Sequence, residues 1–212
     1  MCAYPLKEVI DYYQQLNTPV FVCFLDLKSA FDRVSYNELF CKLLERNVPL
    51  YLVKLLNMWY TSQNLFVGWG KCCSRGFKMT NGIRQGSLIS PYLFNVYMDE
   101  LNRRLCGMKV GCRIAGQSTN NLAYADDLVI LAPTGRALNA LLKVCETYAA
   151  ENYIIFNATK SVCMLITPRD EHKFVRPNIY LCGEMLEFVN KHKYLGNIIT
   201  SNLWMKRIFN GK

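Results

Sequence analysis

The sequence lacks an apolar run long enough to cross a bilayer. Its longest apolar stretches, Val20 to Leu25 and Leu128 to Pro133, fall far short of the ~18 residues that a spanning helix requires. Near the N-terminus, Glu8 and Asp11 stand where a signal peptide would carry its apolar region. These absences predict an intracellular protein, of the cytoplasm or nucleus, with no membrane partner.

Metal-binding cysteine spacing and flexible linkers are also missing. The chain has ten cysteines but no C-x-x-C pair, and only two histidines, which argues against a zinc site. Cys23, Cys145 and Cys163 lie among apolar residues, as is typical of free thiols in a reducing compartment. Because no repeat or Pro/Gly-rich segment divides residues 1–212, we expect a single domain with a sizeable core.

Positive charge is concentrated in two segments of the chain. Residues 71–113 carry eight basic and two acidic side chains, and residues 160–212 carry nine and four. Residues 114–159, between them, carry two basic and four acidic side chains. Two basic segments around an acidic middle are compatible with a polyanion that passes a metal site, although a basic balance alone is common among soluble proteins.

Hydrophobic periodicity predicts alternating helices and short strands. Apolar residues recur at helical spacing from Leu6 to Leu16, and Val20 to Leu25 is typical of a buried strand. Further helix starts are indicated by a capping-box pattern at Ser35, by Ser90 before a proline, and by Thr134. Other expected strands flank a turn at Gly68–Gly70 and the acidic pair 126–127, or lie at 154–156, 161–166, 179–181 and 194–200. This order predicts an α+β fold with helices packed on one face of a sheet.

Three aspartates are the strongest chemical signal. Asp126 and Asp127 are adjacent carboxylates between apolar segments, and Asp26 directly follows the predicted buried strand. A folded sheet can place both strand ends side by side, and the carboxylates then form an oxygen-rich site suited to Mg²⁺. For the dipeptide alone, a solvated acidic turn is the simpler interpretation.

Five sequence blocks, in order, resemble motifs A to E of reverse transcriptases, especially those of non-long-terminal-repeat retrotransposons. They span about residues 20–200 and read FLDLKSAFDRV, GIRQGSLISPYLFNVY, YADDLVIL, NATKS and KYLGNII. The resemblance implies a polymerase palm, with a ferredoxin-like βαββαβ core, an antiparallel sheet and a small primer-grip hairpin. It further implies that the fingers are largely missing before motif A and the thumb after motif E, so that we expect weak polymerase activity from this chain alone.

The resemblance assigns the metal site residue by residue. Asp26 and Asp126 would hold two Mg²⁺ ions, for which Mn²⁺ can substitute, with the main-chain carbonyl of Leu27 as a further ligand. Asp127 would support the site less directly, because neighbouring strand residues face opposite ways. Lys160 matches the motif D lysine that protonates the departing pyrophosphate; a solvated surface lysine is the alternative.

Five residues match the nucleotide-binding positions of the family, and one of them, Leu27, is also the main-chain metal-ligand candidate. Phe31 would lie beneath the incoming sugar and exclude a ribose 2′-hydroxyl, unless it is an ordinary core phenylalanine. Gln85 would hydrogen-bond the nucleotide or template, Arg84 supplies a phosphate-seeking charge, and Gly86 permits close backbone approach. A simple turn is the alternative for this loop.

Primer binding would involve the residue before the acidic corner and the motif E hairpin. Tyr124 precedes the carboxylate pair, and Tyr194, Leu195 and Gly196 match the hairpin that grips the primer. An ordinary strand and turn is the alternative interpretation of the hairpin.

The implied activity is RNA-templated DNA synthesis, with an RNA template, a DNA primer and deoxynucleoside triphosphates as partners. One alternative is an inactive or domesticated remnant that binds nucleic acid or protein. The other is a different palm enzyme, such as a nucleotide cyclase or an RNA-templated RNA polymerase, against which Phe31 and the RQG loop argue.

Overall fold

The computed structural model describes residues 4–168 and 174–201, together with the backbone of residues 206–207. The expectation that residues 201–212 hold no thumb falls largely outside these ranges. The described helices are α1 (Tyr4–Gln15), a short 3₁₀ turn (Phe31–Arg33), α2 (Tyr36–Glu45), α3 (Leu50–Thr61), α4 (Ser90–Gly107) and α5 (Gly135–Glu151). Among the described helices, none combines the length and apolar character that spanning a membrane requires.

The strands are short except in the central sheet. They are β1 (Val20–Leu25), β2 (Asn64–Leu65), β3 (Gly68–Trp69), β4 (Cys72–Cys73), β5 (Phe77–Lys78), β6 (Arg113–Ile114), β7 (Gln117–Ser118), β8 (Asn121–Tyr124), β9 (Asp127–Ala132), β10 (Val162–Ile166), β11 (Tyr180–Leu181), β12 (Glu184–Met185), β13 (Glu187–Phe188), β14 (Lys191–Tyr194), β15 (Asn197–Thr200) and β16 (Lys206–Arg207).

The central sheet has five strands in the order β13-β10-β1-β9-β8. β1 lies at its centre and pairs antiparallel with both β9 and β10, while β13 adds a parallel edge. Every residue of β1 is buried, which explains why its sequence is apolar throughout instead of alternating. The core elements occur in the chain order β1, α4, β8, β9, α5 and β10, with α2, α3 and short strands inserted before α4 and β6–β7 before β8. The predicted α+β fold with a βαββαβ core is confirmed.

The two faces of the sheet carry different layers. Cys23 and Leu25 of β1 pack in one core cluster with residues of α2, α3, α4 and α5, whereas Val22 and Phe24 face a second cluster. The second cluster contains the apolar residues of α1 and Ile199 of β15. Thus α1 lies on the face opposite the other helices. The prediction that all helices pack on one face of the sheet is wrong for α1. A strand buried on both sides gives no sign of which face a helix covers.

Several helix starts differ in detail from the sequence expectation. Thr134 caps α5 as predicted, because its hydroxyl accepts a hydrogen bond from the Ala137 N–H at 3.2 Å. Ser35 precedes α2, but its side chain makes no capping bond. Ser90 lies inside α4, and its hydroxyl donates to the Arg84 carbonyl at 2.6 Å. The predicted strand 154–156 is reduced to one bridge between Leu27 and Phe156.

A charged cluster joins α2, α4 and α5 on the helix face. Lys42 is buried and contacts Glu100 at 2.8 Å, and its ammonium lies 5.5 Å from the Tyr148 ring centroid. Arg104 pairs with both Glu100 and Glu151. Hydrogen bonds from Lys42 and then Arg104 hold the pKa of Glu100 below its ordinary value. The ionised carboxylate is therefore favoured by folding.

Glu100 should contribute acid sensitivity to the folded state. Because its pKa is lower in the folded chain, its stabilising contribution is present above the ordinary glutamate pKa of 4.5. The contribution is lost as the pH falls through the folded value. Glu100→Gln should therefore be less stable than the native chain at pH 7, and its stability should fall less steeply on acidification below that pKa. Denaturant unfolding between pH 7 and 3 measures this, with the exposed Glu45→Gln as the control; equal slopes in all three proteins would contradict it.

Candidate active site

The sheet register brings the predicted carboxylates to one edge. β1 and β9 pair up to Leu25 opposite Leu128, so the next pair of positions is Asp26 and Asp127. Both residues point to the same face of the sheet as Phe24 and Val129, because side chains alternate along a strand. Asp126 lies in the two-residue turn between β8 and β9. The structure thus brings the strand ends together as predicted, and it places Asp127 directly beside Asp26.

The turn that carries Asp126 is tight. Tyr124 pairs with Asp127 across it, and Ala125 adopts φ 51°, in the left-handed region. Every residue with a Cβ, alanine included, is disfavoured in that region, and a bulky or β-branched residue is disfavoured most. The small side chain of Ala125 therefore suits the conformation that exposes Asp126 at the sheet edge.

Like charges crowd this edge. The pKa of Asp127 is raised, first by burial and then by the negative charges of Asp126 and Asp26. A divalent cation would relieve that repulsion, and carboxylate oxygens are the ligands that Mg²⁺ prefers. Within the described ranges no three Asp, Glu, His or Cys side chains already surround a common point. The donor set fits a divalent cation, whose binding would draw the carboxylates together.

The main chain around Asp26 is fixed by two buried polar residues. The Asp26 N–H donates to the Ser161 hydroxyl oxygen at 3.0 Å, and the Asn157 N–H donates to the Asp26 carbonyl at 2.8 Å. The Ser161 hydroxyl also donates to the Asn157 carbonyl at 2.8 Å. Both residues belong to the NATKS block, in which the sequence drew attention only to Lys160. Their signal was a pair of polar side chains beside apolar Phe156 and Val162.

The Leu27 carbonyl is oriented towards the acidic corner. Flanking bonds from Lys28 N–H to the Ile155 carbonyl and from Asn157 N–H to the Asp26 carbonyl make Leu27 and Phe156 a non-hydrogen-bonded pair. The polar main-chain groups of Leu27 consequently point away from Phe156, towards the side where β9 lies. This direction is the one that the predicted ligand role needs.

Asp26, Asp127 and Lys160 line a small cleft of about 70 Å³, with His192 and Tyr194 on its other wall. Lys160 is exposed, so its ammonium can approach a phosphate at the carboxylates. His192 is half-buried, its ring centroid lies 4.4 Å from that of Phe24, and burial lowers its pKa. It is therefore a neutral wall of the cleft at pH 7.

The primer-binding candidates differ in accessibility. The Tyr124 side chain is 54% exposed beside the carboxylates, whereas Tyr194 is only 4% exposed and packs on Phe24. Leu195 and Gly196 form the β14–β15 turn, with φ 46° and 74°. In this hairpin the turn is more accessible than the Tyr194 ring, and a primer-binding role for Tyr194, Leu195 and Gly196 stays a prediction.

Phe31 is half-buried, and its ring lies 4.9 Å from the Phe94 ring. Core packing therefore fixes the ring of Phe31. The residue is also five positions beyond Asp26, the spacing on which the sugar-selection role rests. The two interpretations of Phe31 are compatible, because a rigidly packed ring can still limit the space beside it. Its role in sugar selection stays a prediction.

The predicted nucleotide-binding loop forms a cleft of about 360 Å³ with the end of α3. Arg84, Gln85 and Gly86 are exposed there, facing Trp59 and Gln63. Sequence reasoning missed Trp59 of α3 and Gln63 just beyond its end, because helical spacing alone does not show which helix end meets a distant loop. This cleft and the carboxylate cleft have no lining residue in common.

Comparison with known proteins identifies the family. The sequence profile described as "Reverse transcriptase (RNA-dependent DNA polymerase)" matches residues 3–199. The chain therefore belongs to the reverse transcriptase family.

Curated relatives come from mobile elements. The chain is 28% identical over 189 residues to a Pol polyprotein of the R2 retrotransposable element of Nasonia vitripennis, covering 86% of this chain and 18% of that protein. It is 24% identical over 187 residues to the RNA-directed DNA polymerase of the jockey element of Drosophila funebris, covering 87% and 20%. The predicted resemblance to non-long-terminal-repeat retrotransposons is confirmed. The chain spans about a fifth of the length of these relatives.

Solved structures support the fold. A telomerase from Candida albicans, in complex with a fragment of telomeric RNA, superposes with a TM-score of 0.67 at 13% identity. The match covers 97% of this chain and 34% of the telomerase. An apo telomerase from Candida tropicalis gives a TM-score of 0.64 at 14% identity, covering 98% and 36%. These likenesses confirm the polymerase-palm architecture.

Alanine substitution at two glycines of the predicted nucleotide-binding loop should lower the unfolding free energy by different amounts. Gly82 (φ 88°) has the Asp32 carbonyl oxygen 2.8 Å from where a Cβ would lie, whereas Gly86 (φ 79°) has open space. Gly82→Ala should cost about 3 kcal/mol of unfolding free energy, from backbone strain and overlap together. Gly86→Ala should cost about 1 kcal/mol from strain alone. Chemical denaturation measures both, and equal losses would show that Asp32 moves aside without cost.

Proposed function

We propose that the chain carries the catalytic centre of an RNA-directed DNA polymerase that adds deoxynucleotides to a primer 3′-hydroxyl. The observation that carries this proposal is the meeting of Asp26, Asp126 and Asp127 at one sheet edge, where burial and then the charges of Asp126 and Asp26 raise the pKa of Asp127. Such crowding opposes folding unless a cation compensates it. In a reverse transcriptase palm, the same edge is where nucleotidyl transfer would occur.

Asp26, Asp126 and the Leu27 carbonyl would hold two divalent cations, Mg²⁺ or Mn²⁺, with Asp127 in support. When bound, such ions lower the pKa of an attacking hydroxyl and neutralise a leaving pyrophosphate. The hydrogen bonds with Asn157 and Ser161 keep the Asp26 main chain fixed, so only side chains would need to move when a cation binds. Lys160, which lines the same cleft, would donate a proton to the leaving pyrophosphate.

The incoming deoxynucleoside triphosphate would lie between the carboxylates and the loop before α4. Gln85 would hydrogen-bond the nucleotide or template base, and Arg84 would contact a phosphate. Gly86, whose missing side chain leaves open space, would allow close approach. Phe31, fixed against Phe94, would exclude the ribose 2′-hydroxyl.

The template and primer would be bound through their backbones. Base pairing supplies template direction, so the protein needs only phosphate and shape contacts, which the basic segments 71–113 and 160–212 can supply. Tyr124 and the Leu195–Gly196 turn would contact the primer end. A structural neighbour is a telomerase bound to RNA, which is compatible with an RNA template here.

The carboxylates should have unequal effects on nucleotide addition. Asp26→Ala or Asp126→Ala should reduce single-nucleotide primer extension on an RNA template by about 10³-fold or more, because a metal ligand is lost. Asp127→Ala should reduce it less. All three variants should keep or gain thermal stability, since repulsion is relieved.

The exposed Asp32→Ala variant is the matched control for charge removal near the site. Equal extension by Asp126→Ala and the native chain, where the native chain is active, would contradict the mechanism and favour a nucleic-acid-binding remnant. A larger loss at Asp127 than at Asp126 would instead reverse the assigned ranking, in keeping with the position of Asp127 beside Asp26.

Phe31 should select against ribonucleotides. Phe31→Val should raise ribonucleotide incorporation relative to deoxyribonucleotide by about tenfold or more, because a clash is removed. Competition between the two nucleotide types in primer extension measures the ratio. The control Phe66→Val makes the same change at an exposed phenylalanine outside the site, so it should leave the ratio unchanged. An unchanged ratio in Phe31→Val would assign Phe31 to the core alone.

A further inference from the structure

The pairing between β1 and β10 stops just before the carboxylates. Its register runs from Val20 opposite Ile166 to Phe24 opposite Val162. Asp26 lies beyond the last pair, so its main-chain groups have no ladder partner in β10. Main-chain N–H and carbonyl groups that are shielded from water are costly to leave unpaired. The way in which Asp26 satisfies these groups therefore determines how firmly its carboxylate is oriented.

A turn at residues 157–161 supplies the missing partners. The Asp26 N–H donates to the Ser161 hydroxyl oxygen at 3.0 Å, and the Asn157 N–H donates to the Asp26 carbonyl at 2.8 Å. The turn is itself closed, because the Ser161 N–H and the Ser161 hydroxyl both donate to the Asn157 carbonyl, at 2.9 and 2.8 Å. Both ends of the turn are thus bonded to the main chain of one residue, Asp26.

The peptide unit that carries the Leu27 carbonyl is held in a similar way. The Lys28 N–H donates to the Ile155 carbonyl at 2.8 Å. Because a peptide unit is planar, this bond also fixes the direction of the Leu27 carbonyl. Three successive peptide units, from Leu25 to Lys28, are therefore held by residues 155–161. They carry both of the ligand candidates that follow β1.

Ser161 contributes a side chain to these three hydrogen bonds, whereas the other two bonds join main-chain groups. Ser161 is 2% exposed, and neither Ser161 nor Asn157 is among the residues that line the carboxylate cleft. A substitution at Ser161 can therefore change how Asp26 is held without removing a ligand or altering the wall of the cleft.

We propose that Ser161 is a positioning residue for the cation site. Its hydroxyl holds the main chain at Asp26, so that the Asp26 carboxylate and the Leu27 carbonyl keep the directions in which they bind one divalent cation together. This inference rests on the proposed cation site at the three aspartates. Groups that orient metal ligands contribute to affinity, and losing one commonly weakens metal binding by roughly 10- to 100-fold.

The test is Mn²⁺ binding by the full chain, measured by calorimetry. All proteins are compared at one temperature well below their melting temperatures, because loss of a buried hydrogen bond lowers stability by itself. Circular dichroism shows that each variant is folded at that temperature. The variant Asp126→Asn, which removes a ligand candidate, gives the background from Mn²⁺ bound elsewhere.

Three variants change the Ser161 hydroxyl. Ser161→Ala removes it, Ser161→Thr keeps it, and Ser161→Cys replaces it with a thiol, which is a weak acceptor. The matched control is Thr159→Ala, which removes an exposed hydroxyl of the same turn. That hydroxyl donates to the Asn157 side-chain oxygen at 2.8 Å and makes no bond to Asp26.

Ser161→Ala should raise the Kd for Mn²⁺ about tenfold, and Ser161→Cys should raise it as well. The cysteine variant provides the same comparison if the alanine variant does not fold. Ser161→Thr and Thr159→Ala should bind Mn²⁺ as the native chain does. Recovery of affinity in Ser161→Thr would show that the hydroxyl, and not the volume of the side chain, is responsible.

Native affinity in folded Ser161→Ala or Ser161→Cys would overturn the proposal and leave the cation site itself intact. An equal loss in Thr159→Ala would also overturn it, because the integrity of the turn would then matter more than the bond to Asp26. If the native chain binds no more Mn²⁺ than Asp126→Asn does, the cation site is overturned, and with it both this proposal and the proposed function.

Discussion

Repulsion among three carboxylates at the end of the central sheet is the constraint on which the arrangement of the site depends. Asp26 and Asp127 face each other across the β1–β9 register, and Asp126 projects from the adjoining turn. Separating them would lower the repulsion, but the fully buried strand β1 cannot shift without exposing its apolar residues on both faces. The fold therefore holds like charges together, and a divalent cation is the natural counter-charge for such an edge.

The two faces of the sheet differ: one carries the larger hydrophobic core, and the other carries the cleft at the carboxylates. On one face, α2 to α5 form the larger core, and the Lys42–Glu100–Arg104 cluster ties three of these helices together. On the other face, α1 and the β14–β15 hairpin cover the sheet but leave a cleft at the carboxylates, walled by His192 and Tyr194. Under the proposed function, a primer end and a triphosphate would reach Asp26 through this cleft.

Much of this site could be predicted from residue patterns, because its charged members interrupt apolar segments. An Asp directly after a buried strand, and an Asp pair between two strands, are conspicuous in the sequence. Asn157 and Ser161 were missed, since their contribution consists of bonds to the Asp26 main chain that only the fold creates. The face covered by α1 was missed for a related reason: β1 is apolar throughout, so its sequence carries no alternation.

At the starts of α2 and α4, the predicted serine caps do not form. The sequence predicts Ser90 as a helix cap. Its hydroxyl instead donates a hydrogen bond to the Arg84 carbonyl, which connects the predicted nucleotide-binding loop to α4. Ser35 forms no cap, although Glu38 lies in the first turn of α2, where the capping-box pattern places it. Ser35 directly follows the motif A segment, and Ser90 stands within the motif B segment. The sequence pattern alone does not reveal how either serine is used.

The central claim is that Asp26, Asp126 and Asp127 form one cation site, and thermal unfolding with increasing Mn²⁺ tests it most directly. A ligand that binds only the folded state raises its melting temperature, so the native chain should become more stable as Mn²⁺ is added. The triple variant Asp26→Asn, Asp126→Asn, Asp127→Asn should melt higher than the native chain without cation, because repulsion is removed, and should not respond to Mn²⁺. Equal Mn²⁺ responses in the two proteins would contradict the account.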